Sequence, residues 1–382
     1  MKKNRILFIT QDLAVGGGTS SLSSLYTEIR NDFEISVLVL TSVGEARVSY
    51  NDVIIHPCRL TDLFYRTNGK DTGIIKYVSY FVKAVFRTFG MLGINVNKIN
   101  VWLNRSILMD YHSVISFGEG CATQFTQYIN IHPRSAWIHF EVSKYPFSKS
   151  FQHLYQQFDH IITVSNAIAE RLKITYPLLS SKIQGIHNII DKSRIEVLAK
   201  ETIPEVFSEK EFNIISLGRV SKVKRFPRIP VIAKYLVDKG YLIKWRVYGP
   251  ENDEDELKQF NDNVMKYHLN SIVEYCGNKT NPYPYLAQSD LMVILSESEA
   301  CPMIITEARI LNIPVVSSDF ATASEFIENG TDGIICPIEK VATAIEDYMI
   351  NRSLKNKFIE KSKERILNNE FVIQQFKKIV IS

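Results

Sequence analysis

Cysteine is scarce in this sequence, and its few copies are scattered. The 382 residues include five cysteines, at positions 58, 121, 276, 301 and 336, and no two of them form a Cys-x-x-Cys pair. An odd number of dispersed cysteines argues against a disulfide framework and against a zinc site. We therefore predict a chain that works in a reducing cytoplasm.

Long apolar runs are also missing. No run approaches the stretch of about 20 residues that a membrane-spanning helix needs. The beginning, MKKNRILFITQDLA, carries basic residues but only a four-residue apolar run, so we predict a first strand there and not a signal peptide.

Charge of one sign does not dominate the chain. Residues 1–190 contain 19 basic and 13 acidic residues, a net charge of +6. Residues 191–382 contain 26 basic and 28 acidic residues, a net charge of −2, so that the whole chain carries +4. The basic half is the candidate for meeting an anionic surface or acceptor. An excess of six is too mild to predict nucleic-acid binding, and no nucleic-acid motif is present.

Short apolar runs alternate with helical stretches through both halves, which predicts parallel sheets. The predicted strands are 6–10, 35–41, 53–56, 113–118, 135–140 and 160–165, then 212–218, 242–249, 272–277, 291–295, 314–319 and 332–337. A polar segment at 199–212 separates them. We predict an N-terminal domain at 1–198, a C-terminal domain at 199–365 and a helix at 366–382 that packs back on the first domain.

The segment SESEACPMIITEAR, at 297–310, follows one of these runs. Pro302 suits the first turn of a helix, where its missing N–H costs nothing, so the pattern predicts a strand, a loop and a helix. Free N–H groups at such a helix end bind phosphate. Glu299 on the loop and Glu307 in the helix suit sugar hydroxyls, although solvated or helix-capping carboxylates would give the same pattern.

The segment SLGRVSKVKRF, at 216–226, follows the first strand of the second half. Arg219 at the strand end and Lys224 five residues later suit a diphosphate. A basic loop in water is the alternative, and spacing does not rank Lys224 above Lys222 or Arg225.

Two further segments carry candidate residues in the first half. VGGGTSS, at 15–21, follows the first strand, and its glycines, including Gly17 and Gly18, allow a close backbone approach to a ligand or form a plain turn. His139 stands at the end of a predicted strand, where it serves as a base, a hydrogen-bond donor or a structural residue.

Two segments have competing interpretations. NDEDELK, at 252–258, has the acidic spacing of metal-dependent transferases, but we predict the acidic first turn of a helix. Residues 74–94 mix aromatics with Lys76, Lys83 and Arg87, which fits either a helix lying on a membrane or one packed on the domain with its basic edge in water.

Six motifs occur in the order GRVSKVK, VYGP, NPYPYLAQSDL, SESEACPMIITEA, IPVVSSD and ENGTDGIIC. Taken together, these patterns resemble the retaining glycosyltransferases of family 4. The resemblance implies the GT-B fold, an α/β fold with two Rossmann-like domains facing a central cleft.

The resemblance also implies residue roles. Glu299 would contact the transferred sugar and Glu307 the ribose, and His139 would lie near the reacting sugar. The diphosphate would be held by Arg219, Lys224, the Gly218 turn and N–H groups around Cys301, Pro302 and Met303. Two departures stand out: Ala300-Cys301 replaces Gly-Phe, and Thr19, Ser20 and Ser21 replace the charged residues that often follow the N-terminal glycines.

The implied reaction is the metal-independent transfer of a sugar, with retention, from a UDP- or GDP-sugar to a glycan or a lipid-diphosphate-linked glycan in cell-surface polysaccharide synthesis, without a cofactor. The enzyme would be cytoplasmic, with peripheral contact to an anionic inner membrane face. A non-catalytic GT-B-like subunit that supports a partner enzyme and a nucleotide-sugar epimerase are the alternatives.

Overall fold

The computed structural model describes residues 3–13, 17–41, 73–93, 95–140, 149–204, 207–365 and 369–381. These residues form two compact units. One comprises the described residues up to Ile189 together with residues 369–381, and the other runs from Ile190 to residue 365.

The first unit is built on a parallel six-stranded sheet with the strand order β2-β1-β3-β4-β5-β6. Its strands are β1 Asn4–Thr10, β2 Phe33–Val39, β3 Ser113–Phe117, β4 Arg134–Ile138, β5 His160–Thr163 and β6 Ile183–Gly185. The central strands are buried along nearly their whole length, which explains why they appear in the sequence as unbroken apolar runs. The strand predicted at 53–56 lies outside the described residues.

Helices connect these strands. They are α1 Gly17–Ile29, α2 Gly73–Met91, α3 Val96–Leu103, α4 Cys121–Thr126, α5 Lys149–Tyr155 and α6 Asn166–Thr175. The segment SNAIAERL, at 165–172, begins α6 as a capped helix, because Ser165 Oγ accepts a hydrogen bond from the Ile168 N–H. None of the described helices is long and apolar enough to cross a membrane.

The second unit has its own parallel six-stranded sheet, in the order β12-β11-β10-β7-β8-β9. Its strands are β7 Phe212–Leu217, β8 Ile243–Tyr248, β9 Val273–Tyr275, β10 Leu291–Ile294, β11 Val315–Ser318 and β12 Ile334–Cys336. Alternate residues of each strand pack into two different hydrophobic clusters. Ile214 and Val293 belong to the cluster on one side of the sheet, and Ile215 and Met292 belong to the cluster on the other side. Both faces are therefore covered, as the predicted α/β class requires.

The helices of this unit flank and connect its strands. They are α7 Lys192–Leu198, α8 Ile229–Asp238, α9 Glu254–Lys266, α10 Tyr283–Ala287, α11 Met303–Ile310, α12 Ala323–Phe326, α13 Val341–Ile350 and α14 Arg352–Glu364. The unit begins at Ile190, nine residues before the boundary inferred from sequence, because Ile190 and Ile195 pack with Ile310.

Helix α15, Asn369–Ile381, packs on the first sheet. It buries Val372, Phe376, Ile379 and Val380, which recur at helical spacing. The Phe376 ring lies 6.2 Å from that of Phe8 and 6.0 Å from that of Trp137, measured between centroids. The first unit is thus assembled from two segments that are distant in sequence.

Candidate functional site

Two glycines bring the ends of β7 and β8 into contact in the second unit. Gly218 and Gly249 both have φ of 148°, a conformation that favours glycine. A Cβ atom added to Gly249 would lie 1.9 Å from the carbonyl oxygen of Gly218. Only glycine fits there, so the carboxyl ends of these two strands meet without intervening side chains. In parallel sheets this edge is where ligands bind.

The side chain of Lys224 passes over this glycine turn. Lys224 ends a short 3-10 helix, and a Cβ added to Gly218 would lie 3.0 Å from its Cε atom. The absence of a side chain at Gly218 therefore leaves the space that the lysine occupies. The ammonium group reaches Glu299, with 2.5 Å between Lys224 Nζ and Glu299 Oε1.

Glu299 is held at three points. Its Oε1 atom accepts hydrogen bonds from Lys224 and from Ser296 Oγ, at 2.6 Å, and its carbonyl accepts one from Thr322 Oγ1, at 2.8 Å. The Lys224 and Glu299 side chains are only 20% and 17% exposed. A cation and an anion are thus fixed together beside the strand ends, and Glu299 is neither freely solvated nor a helix cap.

The other basic residues of this loop have different surroundings. Lys222 is exposed, and Arg225 pairs with Glu297 at 3.7 Å. Arg219 lies directly after Gly218 with an exposed side chain. The structure therefore separates Lys224 from its neighbours, which the sequence spacing could not do.

Helix α11 begins one residue later than expected, with Pro302 as its N-cap residue. The Met303 N–H donates to the Cys301 carbonyl at 2.9 Å, and the Ile305 N–H donates to the Pro302 carbonyl at 2.9 Å. The prediction of free N–H groups at this helix end is therefore wrong for Met303, whose N–H closes a turn.

Glu307 lies inside α11 in protein surroundings. Tyr283 Oη, from α10, donates to Glu307 Oε1 at 3.4 Å. Burial raises the pKa of Glu307 from 4.5 to about 7, and the tyrosine bond opposes part of that rise. Sequence analysis missed Tyr283, although the segment NPYPYLAQSDL that contains it belongs to the motif series.

A buried ion pair anchors the same helix. Arg309 Nη2 donates to Asp332 Oδ2 at 3.1 Å and to the Phe326 carbonyl at 2.6 Å, and the Asp332 side chain has no exposure. Arg365 approaches the same carboxylate at 3.4 Å. Separating these partners would leave an uncompensated buried charge, which is strongly unfavourable. The network therefore fixes the orientation of α11 and of Glu307 on it.

The remaining predicted residues lie in the first unit. Gly17 and Gly18 begin α1 and are exposed, and a Cβ added to either would meet no atom of the described residues within 4 Å. Ser21, one of the residues that depart from the family pattern, donates to the Asn188 side chain at 2.6 Å and is buried. This hydrogen bond therefore holds α1 against the segment that contains Asn188.

His139 follows β4 directly. Its ring packs 4.4 Å from that of Phe117, between centroids, and its Nε2 atom is buried with no hydrogen bond among the described residues. Burial lowers the pKa of His139 to about 3, so the imidazole is neutral. A neutral imidazole can donate or accept a hydrogen bond, which suits a sugar hydroxyl.

Glu119 is a second residue that sequence analysis missed. Its carboxylate accepts hydrogen bonds from the N–H groups of His139 and Phe140. Burial raises its pKa from 4.5 to about 7, against the effect of these bonds. The available signal was an acidic residue between two glycines, in SFGEG, at the end of a predicted strand.

The acidic segment 252–258 begins α9, as predicted. Asp253 is the N-cap residue, and its Oδ1 atom accepts from the Glu256 N–H at 3.1 Å. Within the described ranges no group of three His, Cys, Asp or Glu side chains is arranged to hold a metal ion. The Asp253 carboxylate is thus occupied by the helix backbone.

Comparison with protein families gives one match, and it falls in the second unit. Residues 199–365 match the family described as glycosyl transferases group 1. This region contains the Lys224–Glu299 pair and Glu307. The match supports a relationship with that family for the part of the chain that carries the paired side chains.

Curated relatives share about a quarter of their residues with the chain. N-acetyl-alpha-D-glucosaminyl L-malate synthase of Bacillus anthracis is 25% identical over 238 residues, 59% of this chain and 60% of that protein. Poly(ribitol-phosphate) alpha-N-acetylglucosaminyltransferase of Staphylococcus aureus is 24% identical over 206 residues, 49% of this chain and 41% of that protein. The chain thus spans about half the length of these relatives.

Solved structures resemble the chain over its whole length. A variant of S. aureus TarM, in complex with fondaparinux, alpha-GlcNAc-glycerol and UDP, matches with a TM-score of 0.75 at 16% identity, over 100% of both chains. Identity this low shows the fold alone. The predicted α/β fold, with two Rossmann-like domains of the GT-B type, is confirmed.

Proposed function

We propose that the chain is a retaining glycosyltransferase that moves a sugar from a nucleoside-diphosphate sugar to a glycan acceptor in cell-surface polysaccharide synthesis. The observation that carries this proposal is the Lys224–Glu299 pair over Gly218, in the region that matches glycosyl transferases group 1. The relatives act on N-acetylglucosaminyl groups by name, and one acts on poly(ribitol-phosphate). UDP in a related structure favours a UDP-sugar as the donor.

The ion pair defines how a donor would enter. A diphosphate would draw Lys224 away from Glu299, because two phosphate charges attract the ammonium more strongly than one carboxylate. Glu299 would then accept a hydrogen bond from a hydroxyl of the transferred sugar. Arg219 would add a second cation, and Glu307 would accept bonds from the ribose.

The chemistry then needs stabilisation of the leaving diphosphate. The bond between the sugar anomeric carbon and the diphosphate oxygen breaks, and the acceptor oxygen bonds to that carbon on the same face. The acceptor hydroxyl proton passes to the departing phosphate. Lys224 and Arg219 supply the positive charge that this step requires, and we propose that no metal ion takes part.

A matched pair of lysine variants tests the proposal. Lys224→Ala should lower turnover about 10²- to 10³-fold, the scale for losing one transition-state stabiliser. Lys222→Ala, an exposed lysine of the same loop, should stay near wild type. The assay offers UDP- and GDP-sugars with and without glycan acceptors.

Three results would contradict the proposal. Equal turnover of the two lysine variants would remove Lys224 from the reaction. Conversion of the donor sugar without any acceptor would identify an epimerase. Glycan binding without turnover of any donor would identify a non-catalytic subunit.

We propose that the acceptor is a lipid-linked glycan. The observation that favours a lipid-linked acceptor is an exposed surface on α2 and α3. We define the apolar-basic surface as the described residues between 73 and 109. This surface holds eleven of the twenty exposed large apolar side chains in the described ranges: Ile74, Ile75, Tyr77, Val78, Tyr80, Phe81, Met91, Leu92, Trp102, Leu103 and Met109. That concentration is more than scattered surface hydrophobics would give.

The charge of this surface indicates what kind of partner it binds. Residues 73–109 contain five cations, Lys76, Lys83, Arg87, Lys98 and Arg105, and no acidic residue. Apolar side chains among cations fit the headgroup region of an anionic bilayer. Burial raises the pKa of Cys121, at the start of α4, and the charge of Lys83 opposes part of that rise, so α2 lies close to the carboxyl end of β3. We therefore propose peripheral contact with the cytoplasmic face of a membrane.

Vesicle co-sedimentation tests the membrane contact. The triple variant Lys76→Glu, Lys83→Glu and Arg87→Glu should bind anionic vesicles at least about 100-fold more weakly, since each basic residue contributes about 1 kcal/mol near the surface. The pair Tyr77→Ser and Phe81→Ser should lose the part of binding that salt does not screen. Equal binding by all variants, or self-association through this surface without vesicle binding, would contradict the proposal.

A further inference from the structure

A short loop in the first unit places Glu119 beside the end of β4. Strand β3 ends at Phe117, and Gly118 and Gly120, with φ of 120° and 70°, flank Glu119 before α4 begins at Cys121. Both glycines adopt conformations that strain other residues, so the loop turns sharply at the carboxyl end of the sheet. Among the described residues, a Cβ added to either glycine would meet no atom within 4 Å.

The carboxylate of Glu119 extends the hydrogen bonding of the sheet. The pairing of β3 with β4 ends where the Gly118 N–H donates to the Trp137 carbonyl at 3.1 Å. Beyond this point, the N–H groups of His139 and Phe140 both donate to Glu119 Oε1, and the Phe140 bond is 3.0 Å long. A side chain therefore fixes the backbone at the point where the strand pairing stops.

The backbone that Glu119 holds carries a half-buried histidine whose ring has one buried polar atom. The His139 ring is confined by Phe117 and by Trp137, whose ring centroid lies 6.0 Å away. Its Nε2 atom is buried and makes no hydrogen bond within the ranges that the structure describes. A buried polar atom without a partner is costly, and at the carboxyl edge of a parallel sheet it is suited to a ligand hydroxyl.

We infer that Glu119 is a positioning residue that fixes the backbone of His139 and thereby aims its imidazole at a sugar hydroxyl. The assignment of that hydroxyl to the acceptor or the transferred sugar rests on the proposed function. The contact between Glu119 and the His139 N–H does not, so the two can be tested separately.

The protonation state of Glu119 gives the inference a measurable signature. Its pKa is raised to about 7 by burial, and a carboxylate accepts stronger hydrogen bonds from N–H groups than a carboxylic acid does. The bonds to His139 and Phe140 should therefore weaken as the pH falls through about 7. Around Glu119, Tyr155 of α5 has a raised pKa, Cys121 of α4 has a raised pKa, and His139 is neutral, so none of them titrates in this range. Lys83 of α2 is a charged group near Cys121.

The first experiment follows the His139 amide by NMR in protein labelled with 15N-histidine. The chain has eight histidines, and the resonance is assigned by its absence in His139→Gln. In the wild type it should shift with a midpoint near pH 7. In Glu119→Gln, which keeps an accepting oxygen but cannot titrate, the shift should vanish. It should persist in Glu307→Gln, whose carboxyl also has a pKa of about 7.

The second experiment measures transfer. Glu119→Ala should lower kcat about 100-fold, the scale for a misplaced group, with little change in the KM for the donor. Glu119→Gln should recover most of that loss and should abolish the pH dependence of kcat near 7. Glu307, which we place at the donor, should instead affect the pH dependence of the KM for the donor. Glu170→Gln, an exposed acid on α6, is the control.

The outcomes separate the two claims. A His139 amide that does not titrate in the wild type, or that titrates equally in Glu119→Gln, overturns the positioning role even if transfer is observed. An amide that behaves as expected, in a protein that transfers no sugar, supports the contact and overturns the proposed function.

Discussion

At the scale of single residues, two acids of one short segment have different surroundings. Glu299 is paired with Lys224 and Ser296, whereas Glu307 is half-buried and accepts a hydrogen bond from Tyr283. The family resemblance implied that both would meet a ligand, but the sequence could not rank the lysines near Gly218. The direction of Lys224 depends on a 3-10 turn and on the space above a glycine, and neither is visible in residue spacing.

The burial of Glu307 leads to a prediction about pH. Folding raises its pKa from 4.5 to about 7, so the folded protein holds this proton more tightly than the unfolded chain. The free energy of unfolding therefore falls as the pH rises from about 4.5 to about 7 and stays lower above that. Glu307→Gln should raise it by about 1–3 kcal/mol at pH 8 and leave it unchanged at pH 4.5, as measured by urea denaturation.

The same variant should weaken donor binding. A glutamine makes neutral hydrogen bonds in place of charged ones, so the affinity for a UDP-sugar should fall by about 1.5–3 kcal/mol in calorimetry. Glu297→Gln, an exposed acid of the same segment, should change neither stability nor affinity. A Glu307→Gln protein that is less stable at pH 8 and binds donor normally would show that Glu307 is only a packing residue.

At the scale of elements, apolar runs predicted the strands well because both sheets are covered on both faces. Strand β6, Ile183–Gly185, was missed. It has three residues and no apolar run, and it exists because β5 offers it a pairing edge. Such a strand forms because a neighbouring strand pairs with it, and the local residue pattern does not predict it.

The start of α9 was predicted from its acidic first turn, and the structure adds that Asp253 is the N-cap residue. Asp253→Asn keeps a good cap, so turnover and melting temperature should stay near wild type. Asp253→Ala should lower the free energy of unfolding by about 1 kcal/mol without loss of turnover, and transfer should survive EDTA. If chelation stops transfer, manganese restores it and Asp253→Asn is inactive, then the acid is a metal ligand and our interpretation of this segment is wrong.

At the scale of the whole molecule, the chain builds its first unit from two distant segments. Phe376 of α15 is fully buried in the first unit, and Phe358 of α14 is 1% exposed in the second. The two phenylalanines lie eighteen positions apart in sequence, yet they belong to different cores.

Substituting each phenylalanine with alanine should therefore destabilise different units, by about 3–5 kcal/mol. Amide hydrogen exchange should show lost protection in β1 and β3 for Phe376→Ala and in β7 and β8 for Phe358→Ala. Equal loss in both sheets for either variant would mean that the units unfold as one, and the division between them would have no energetic basis.

The position of α15 in the sequence also bears on how the chain matures during translation. Ribosomes add about 5–20 residues per second, so roughly 10 to 40 s separate the synthesis of Ile189 from that of Ile381. The second unit can fold in this interval, because all of its residues precede α15. Until α15 is synthesised, Phe8 and Trp137 of the first sheet lack their contact with Phe376. During that time the nascent first unit offers chaperones an aromatic surface that the finished protein does not have.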